Sequence, residues 1–396
     1  MMNLNRRVLA GAVCALLLMV ACGGGSSPQA NGGTISIGAI LPLTGPFSFF
    51  GQIFLKAINL RLKEANGEVA GKKINLIVAD DANDLTTAQA KARELVENDH
   101  VAALMGPFNS SLLTGITPYL KAHKVPTIAI ESTPIEATQS GWVFCPQGDL
   151  AQIAYPMGLY ASQVLHLKTA TLIAPNYIAG WRIQAGFTQG FREGGGHVIQ
   201  AQWTDLTTTD FSSYISNLKQ ADAVVSWFPA TEVTFLKQLT VVNKSKNLLA
   251  YGNGLSDTQM QQLGDPSLGI QTSIQYVWDL NTPEAKKFAD QYKAEYNTLP
   301  TVQNDEAAYE DLSVILEALK STGGDTNPAK LRSAILNLNF KGPAGQVSFD
   351  KSGVGIRDFY IVRVDKVNGK LTWVADKTYV GVRPITKPID KDAIVG

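Results

Sequence analysis

The sequence predicts an α/β fold in which two lobes of similar size are each built on a doubly wound parallel sheet. Short apolar, β-rich runs alternate with amphipathic helical segments from Thr34 onward, and this alternation restarts after a polar break at residues 146–149. Strands that alternate with helices in this way are typical of βαβ units. The chain has 396 residues, which is long for one domain and favours two.

In the first half, strands are predicted at residues 34–42, 72–80, 101–107 and 125–130. Helices are predicted between them at residues 50–67, 85–99 and 111–124. In the first predicted helix, the apolar residues Phe54, Ile58 and Leu62 share one face, and Gly67 is a typical residue for a helix end.

In the second half, strands are predicted at residues 169–175, 197–203, 221–227, 248–252 and 269–278. Helices are predicted at residues 181–194, 210–220, 283–297 and 303–321, and in the segment "NPAKLRSAILNL". Residues 345–374 have a different pattern, because Gly-containing turns rather than helices separate their strand-like runs. This pattern indicates antiparallel strands.

The charge balance excludes one class of partner. The chain has 34 basic and 34 acidic residues, and neither sign is clustered. Nucleic-acid binding therefore has no electrostatic support in this sequence.

The N-terminus predicts export. Arg6 and Arg7 precede an uncharged stretch at residues 8–21, which has the length of a signal-peptide core but is short for a membrane span. This predicts a removed signal peptide at residues 1–21. The segment "MVAC" resembles a bacterial lipobox, with Met19 where Leu is usual, so that Cys22 would carry a lipid.

The mature protein would then be anchored outside the cytoplasmic membrane through Cys22 and a flexible linker at residues 22–33. A plain cleavage site with an incidental cysteine is the alternative. Cys14 lies in the signal, so Cys145 is the one remaining cysteine and is expected to be a small buried residue. It can form neither a disulfide nor a thiolate metal site alone.

Polar side chains follow two neighbouring predicted strands. Asn109, Ser110 and Ser111 come after strand 101–107, where the next helix begins, and "ESTP" at residues 131–134 follows strand 125–130. Ligands on parallel sheets bind at the carboxyl ends of strands, near helix N-termini that attract anions. Helix capping by Ser110 or Ser111 is the alternative role for the first cluster. Two adjacent clusters favour a pocket for a small anion.

Signatures of enzymes, cofactors and metals are missing from the sequence. "NGLSD" lacks the second glycine of a nucleophile elbow, and "EGGGH" ends a helix rather than following a strand. The four histidines show no metal-ligand spacing. We therefore predict no catalytic residue, no cofactor and no metal.

The order of landmarks resembles a known family. "ISIGAILPLTGPFSFFGQIFLKAINLRLKEANG", "AGKKINLIVADDANDLTTAQAKARELVENDHVAALMGPFNSS", "VPTIAIESTP" and "PNYIAGWRIQAGFTQGFREGGG" are similar to the bacterial leucine/isoleucine/valine-binding proteins. These are type I periplasmic binding proteins of ABC importers. The resemblance covers nearly the whole mature chain.

The resemblance implies two lobes joined by a three-crossing hinge, with a ligand between the lobes and a membrane permease as partner. Lobe 1 would contain residues 34–147 and 281–344, and lobe 2 residues 148–280 and 345–396. The protein would be a monomer.

The resemblance also implies ligand-binding residues. The family's carboxylate-binding serine and threonine match Ser110 and Thr133, and its first-loop aromatic matches Phe50. Tyr177 lies two residues before the position, here Ala179, where a second aromatic is frequent. The other candidates, which flank these residues, are Asn109, Ser132 and Glu131.

Two departures from the family pattern bear on the ligand. The disulfide cysteines of the leucine-binding members match Asn83 and Asn109, and the acidic residue that receives the ligand ammonium falls at Asn253. An amide is a poor partner for a buried ammonium, although Glu131 could supply the charge. Aromatic pocket candidates are also numerous: Phe47, Phe49, Phe50, Tyr177, Trp227 and Phe228.

The prediction is a lipid-anchored extracytoplasmic solute-binding protein of an ABC importer. Its ligand would be an aromatic acid, an amide or an amino acid. A branched-chain amino-acid binder and an envelope sensor with a signalling partner are the alternatives. An enzyme with Ser110 as nucleophile is disfavoured, because no base motif accompanies that serine.

Overall fold

The computed structural model describes residues 32–131, 133–242, 247–250, 255, 257–277, 280–301, 303–387 and 389–396. The predicted signal peptide, the lipidation site Cys22 and the linker up to residue 31 lie outside these residues. The candidate ligand-binding residues Ser132 and Asn253 lie outside them as well. Within the described part, no helix has the length and apolar character needed to cross a membrane.

The first part of the chain forms a mainly parallel sheet. Its strands are β1 (Thr34–Leu41), β2 (Glu68–Val69), β3 (Lys72–Asp80), β4 (Ala103–Met105), β5 (Thr127–Ile128) and β6 (Val143–Phe144). The described strands lie in the order β2-β3-β1-β4-β5-β6, and only the pairing of β2 with β3 is antiparallel. Its helices are α1 (Ser48–Glu64), α2 (Leu85–Arg93), α3 (Ser110–His123) and α4 (Ile135–Thr138). A π-helical turn, Glu94–Asn98, extends α2.

The middle of the chain repeats this alternation. Its helices are α5 (Leu150–Gln163), α6 (Ile178–Glu193), α7 (Ser212–Ser216), α8 (Glu232–Val242) and α9 (Asp257–Leu263). Its strands are β7 (Thr169–Pro175), β8 (His197–Thr204), β9 (Ala223–Ser226), β10 (Asn247–Ala250) and β11 (Gln271–Ile274).

The last part supplies elements to both sheets. Its helices are α10 (Pro283–Tyr296), α11 (Asn304–Ser321) and α12 (Pro328–Leu336). Its strands are β12 (Asn339–Gly342), β13 (Gly345–Ser348), β14 (Arg357–Val367) and β15 (Lys370–Val382). In the described residues the second sheet has the order β15-β14-β11-β10-β9-β7-β8, with β14 and β15 antiparallel, while β12 and β13 pair separately.

Apolar packing shows where the late helices belong. Phe288 of α10, Leu312 of α11 and Leu331 of α12 lie in one buried cluster with Phe54 of α1 and Ile37 of β1. The chain therefore returns to the first sheet before its final strands join the second sheet. We call each sheet with the helices packed on it a lobe.

The predicted fold class, two α/β lobes on parallel sheets with a late antiparallel segment, is confirmed. The division of the chain near residues 147, 281 and 344 stays a prediction. Helices α5, α8 and α9 were not predicted, and the helix predicted at residues 210–220 is shorter, Ser212–Ser216.

Candidate functional site

The carboxyl ends of strands from both sheets face a common cleft. Its described lining follows β1, β4 and β5 of the first lobe and β7 and β9 of the second, and includes the start of α5: Phe47, Phe108, Asn109, Ser110, Glu131, Leu150, Tyr177, Ala179 and Trp227. The enclosed space is about 20 Å³, close to what one water molecule occupies. A larger solute can therefore enter only when the two lobes separate.

A glycine places the first polar cluster at this cleft. Gly106 follows β4 with a φ of +78°, and a Cβ there would lie 2.2 Å from the backbone oxygen of Ile40. Only glycine allows both this backbone conformation and this close approach. The chain then turns so that Phe108 and Ser110 line the cleft at the beginning of α3.

Asn109 and Ser110 have different roles. Asn109 is the N-cap of α3, because its Oδ1 accepts a hydrogen bond from the backbone N–H of Ser111 at 2.9 Å. Its Nδ2 donates to Oδ1 of Asn83 at 2.7 Å. The two positions that match the family's disulfide cysteines are thus joined by an amide–amide hydrogen bond. The alternative that Ser110 or Ser111 caps this helix is therefore wrong, because Asn109 supplies the cap.

Thr133 and Phe50 do not line the cleft in this structure. Thr133 is 2 % exposed, its carbonyl accepts from the backbone N–H of Leu150, and its hydroxyl is buried without a hydrogen-bond partner among the described residues. The Phe50 ring packs against Phe47 and Phe108, with centroids 6.1 Å and 5.1 Å apart. Phe50 therefore supports the cleft wall from behind.

Aromatic rings from both lobes flank the cleft. On the first-lobe side, the rings of Phe47 and Phe108 meet edge to face, with centroids 5.5 Å apart. On the second-lobe side, Tyr177 and Trp227 are stacked at 5.8 Å with 19° between their planes. Burial, and then the nearby carboxylate of Glu131, raise the pKa of the Tyr177 hydroxyl. Tyr177 therefore stays a neutral ring in the wall.

Of the other aromatic candidates, Phe49 and Phe228 lie elsewhere. The Phe49 side chain is exposed, and Phe228 packs in the second-lobe core against Phe211 and Phe235.

Glu131 is the charged residue of the described lining. It is 2 % exposed and has a φ of +57°. Its backbone N–H donates to Oδ2 of Asp311 at 3.2 Å, and its carbonyl oxygen lies 3.3 Å from Sγ of Cys145. The predicted burial of Cys145 is confirmed, and burial raises the pKa of its thiol. The one hydrogen of this thiol is shared between the carbonyl oxygens of Glu131 at 3.3 Å and Gly148 at 2.9 Å.

A buried polar cluster lies where chain segments pass between the sheets. Nη1 of Arg357 is 2.7 Å from Oε1 of Glu310, which also accepts from Nε2 of Gln147 at 3.1 Å. Glu306 and Asp311 are fully buried beside this pair. Burial raises the pKa of both carboxyls well above the usual value, and the Glu310 charge raises it further.

A partly exposed ion pair also joins the two lobes, in addition to the buried pair of Arg357 with Glu310. Glu136 on α4 of the first lobe contacts Nη2 of Arg182 on α6 of the second. Because the partners belong to different lobes, this contact is possible only when the lobes are close together. We call it the interlobe ion pair.

The structure brings together Asn109, Ser110, Glu131 and Tyr177 of the predicted ligand-binding residues. Phe108 and Leu150, which also line the cleft, were not predicted as lining. Phe108 could have been found, because it lies within the strand-end motif "GPFNSS" that was singled out. Among the described residues, no group of three His, Cys, Asp or Glu side chains could hold a metal ion.

Relatives share both the sequence and the architecture. The chain is 27% identical to the Leu/Ile/Val-binding protein homolog 6 of Brucella abortus (strain 2308) over 84% of this chain and 88% of that protein. It is 26% identical to an ABC transporter substrate-binding protein from Sphaerobacter thermophilus, with a TM-score of 0.83 over 88% of this chain and 98% of the other.

A second solved structure is equally similar. It is a solute-binding protein of an ABC transporter from Rhodopseudomonas palustris BisB5 in complex with 3,4-dihydroxybenzoic acid. The identity is 26% and the TM-score 0.83, over 89% of this chain and 99% of that one.

The family model described as periplasmic binding protein matches residues 34–370, which is most of the chain. The match extends from the first strand of the first lobe to the final hairpin of the second, so it includes every segment that lines the cleft. The resemblance seen in the sequence landmarks is thereby confirmed: the chain belongs to the periplasmic binding protein family.

Proposed function

We propose that this protein captures a small planar carboxylate outside the cytoplasm and delivers it to an ABC permease. Family membership supports the solute-binding role and the permease as partner. The observation that carries the solute class is the set of four aromatic rings that flank the cleft beside the N-terminus of α3. Aromatic walls suit a planar apolar body, and a helix N-terminus suits an anionic group.

Ser110 is the proposed carboxylate-binding side chain. It is 4 % exposed and lies in the first turn of α3, where backbone N–H groups and the helix dipole favour an anion. Thr133 would join it when the lobes move, since its buried hydroxyl lacks a partner in the described part of the chain. The bound 3,4-dihydroxybenzoic acid of the similar R. palustris protein supports an aromatic acid as solute.

A panel of candidate solutes tests this proposal. We would measure the thermal stability of the purified protein with benzoate, hydroxybenzoates, leucine, phenylalanine, benzamide and succinate, because a bound solute raises the melting temperature. An aromatic acid should give the largest increase. A largest increase with leucine would instead support a branched-chain amino-acid binder, which the names of the Brucella relatives favour.

Replacing Ser110 and Thr133 together with alanine is expected to weaken solute binding about 100-fold or more. Each hydrogen bond to a charged group contributes about 1.5–3 kcal/mol, and helix N–H groups would remain. Isothermal titration calorimetry measures the change. Ser111→Ala is the matched control, because the Ser111 side chain is exposed and only its backbone takes part in the cap. Equal affinity of the double variant and this control would contradict the assignment.

Replacing Glu136 with glutamine is expected to weaken binding of every solute by a factor of about 1.4 to 5. The interlobe ion pair stabilises the closed lobes, and a partly exposed pair contributes about 0.2–1 kcal/mol. The change should appear mainly as faster dissociation in stopped-flow measurements, and high salt should reduce it. Glu94→Gln is the control, since its partner Lys91 lies on the same helical segment. An unchanged dissociation rate in Glu136→Gln would exclude a role in closure.

Export and lipid anchoring are also part of the proposal, and they rest on the sequence of residues 1–33 alone. Mass spectrometry of the N-terminal peptide from the mature protein tests them. A lipid-modified Cys22 is expected, and Cys22→Ser should release the protein from the membrane fraction. An unmodified mature N-terminus would instead support the alternative, a plain signal-peptide cleavage site with an incidental cysteine.

A further inference from the structure

Glu131 introduces a negative group into an otherwise uncharged cleft. The other described lining residues are aromatic, aliphatic or neutral polar: Phe47, Phe108, Asn109, Ser110, Leu150, Tyr177, Ala179 and Trp227. A carboxylate accepts several hydrogen bonds through its two oxygens and repels a second negative charge. A solute in the cleft therefore meets a hydrogen-bond acceptor at Glu131.

The fold holds Glu131 in this position. Its φ of +57° is in the left-handed region, which is uncommon for a residue other than glycine. A buried hydrogen bond fixes this conformation, because Oδ2 of Asp311 accepts from the backbone N–H of Glu131. The thiol of Cys145 packs 3.3 Å from the Glu131 carbonyl oxygen and 2.9 Å from that of Gly148. Unfavourable backbone conformations of this kind persist where the surrounding structure determines them, and they cluster at functional sites.

The cleft thus has two polar groups of opposite character. The N-terminus of α3 with Ser110 favours an acid group, whereas Glu131 repels a second negative charge and accepts hydrogen bonds. Because both line one small cleft, a solute that fills it meets both. A plain aromatic acid satisfies only the first of them.

We propose that Glu131 accepts a hydrogen bond from a donor group that the solute carries in addition to its carboxylate. The cleft then selects hydroxy or amino acids over the same acids without the donor. This inference rests on the proposed solute-binding function and narrows it to acids with a hydroxyl or an ammonium group.

Two matched pairs of probes test the inference. Benzoate is compared with 4-hydroxybenzoate, and 3-phenylpropanoate with L-phenylalanine, by titration of the purified protein. A hydrogen bond to a charged group corresponds to about a tenfold or larger difference in Kd. In at least one pair, the donor-bearing member should bind at least tenfold more tightly. The pair that shows the preference identifies the donor as hydroxyl or ammonium.

Glu131→Gln keeps the side-chain volume and removes the charge. In this variant the preference should fall to threefold or less, and the plain acid should bind as well as or better than in the wild-type protein because repulsion is gone. Glu136→Gln is the matched control: it should weaken both members of a pair alike and leave their ratio unchanged. A melting temperature close to that of the wild-type protein shows that the Glu131→Gln variant is folded.

The possible failures are distinguishable. If both members of each pair bind equally, or if Glu131→Gln keeps the wild-type ratio, the role of Glu131 is wrong while the proposed function stands. If the Glu131→Gln variant is unfolded, the ratio in Glu131→Asp, which retracts the carboxylate and keeps its charge, decides in the same way. If none of the four probes binds, the proposed aromatic solute class fails, and the donor-selecting role of Glu131 is rejected with it.

Discussion

Replacing Arg357 with methionine is expected to lower the free energy of unfolding by about 3–5 kcal/mol. The guanidinium of Arg357 is fully buried, and its Nη1 lies 2.7 Å from Oε1 of the fully buried Glu310. Two more carboxyls, Glu306 and Asp311, are buried around the same pair. Methionine would leave the Glu310 carboxylate without its cationic partner in a region that excludes water, and this uncompensated charge is the source of the cost.

Urea denaturation of three variants measures this effect. Arg363→Met is the matched control, because Arg363 also forms an ion pair from β14, with Asp365 at 2.8 Å, but is partly exposed. Its loss should cost less than about 1 kcal/mol. Adding Glu310→Gln to Arg357→Met should recover much of the lost stability, because the double variant contains no orphaned charge. If Arg357→Met and Arg363→Met lower the free energy of unfolding equally, the buried ion pair does not stabilise the fold more than the exposed one.

The position of this pair explains why its loss should also affect binding. Arg357 begins a second-lobe strand, Glu310 belongs to a helix packed on the first sheet, and Gln147 lies in the segment between β6 and α5. The pair thus links segments that connect the lobes. Asp311, the next residue along α11, holds the backbone of Glu131 in the cleft. Loss of the Arg357–Glu310 pair would therefore also disturb Asp311 and, through it, the position of Glu131 in the cleft.

The alternation of strands and helices was readable from sequence because it depends on local periodicity. Helix α5 was not predicted, and the reason is tertiary. Its segment contains Pro156 and Gly158, which are expected to interrupt a helix. In the structure, a Cβ on Gly158 would lie 2.1 Å from the carbonyl oxygen of Phe187 on α6. The glycine therefore allows two helices to touch, and that requirement has no local signature.

The residues of the candidate site that directly follow strands were predictable from sequence. Ser110, Glu131 and Tyr177 each follow a strand, and the topology of parallel sheets brings such residues to one edge. The left-handed backbone of Glu131 and the hydrogen bond between Asn109 and Asn83 were not predictable, because they depend on contacts with residues far along the chain. Capping of α3 was foreseen as an alternative, but it falls on Asn109 rather than on Ser110 or Ser111. The pairing of Arg357 with Glu310 depends in the same way on where the chain crosses between lobes.

The protein should lose stability as the pH rises from 5 to 8. Glu232 is fully buried, and burial raises its pKa to about 8, although Ser226 and the backbone N–H of Phe228 donate to its carboxylate at 2.5 Å and 2.6 Å. Burial likewise raises the pKa of Asp149 to about 7 and that of Asp81 to about 6. Each of these groups binds its proton more tightly in the folded state than in the unfolded state.

This difference in proton binding determines whether the free energy of unfolding rises or falls with pH. Between the unfolded and folded pKa values the folded state binds more protons, so the free energy of unfolding falls with rising pH. The contribution of Glu232 is fully present below its unfolded value near 4.5 and is lost as the pH passes about 8. Between pH 5 and 8, deprotonation of Glu232 lowers the free energy of unfolding by about 3 kcal/mol. Exposed carboxyls with lowered pKa values, such as that of Asp222, titrate below this window and do not oppose the trend.

Glu232→Gln should flatten this dependence while preserving the fold. The amide oxygen can still accept from the backbone of Phe228, and the side chain no longer titrates. Urea denaturation at pH 5, 6.5 and 8 should therefore give a smaller decrease in unfolding free energy for Glu232→Gln than for the wild-type protein. Glu68→Gln, at an exposed position of β2, is the control and should keep the wild-type slope. A wild-type stability that rises between pH 5 and 8 would mean that these carboxyls ionise in the folded protein at their ordinary pKa values, which would require water or a cation to reach them.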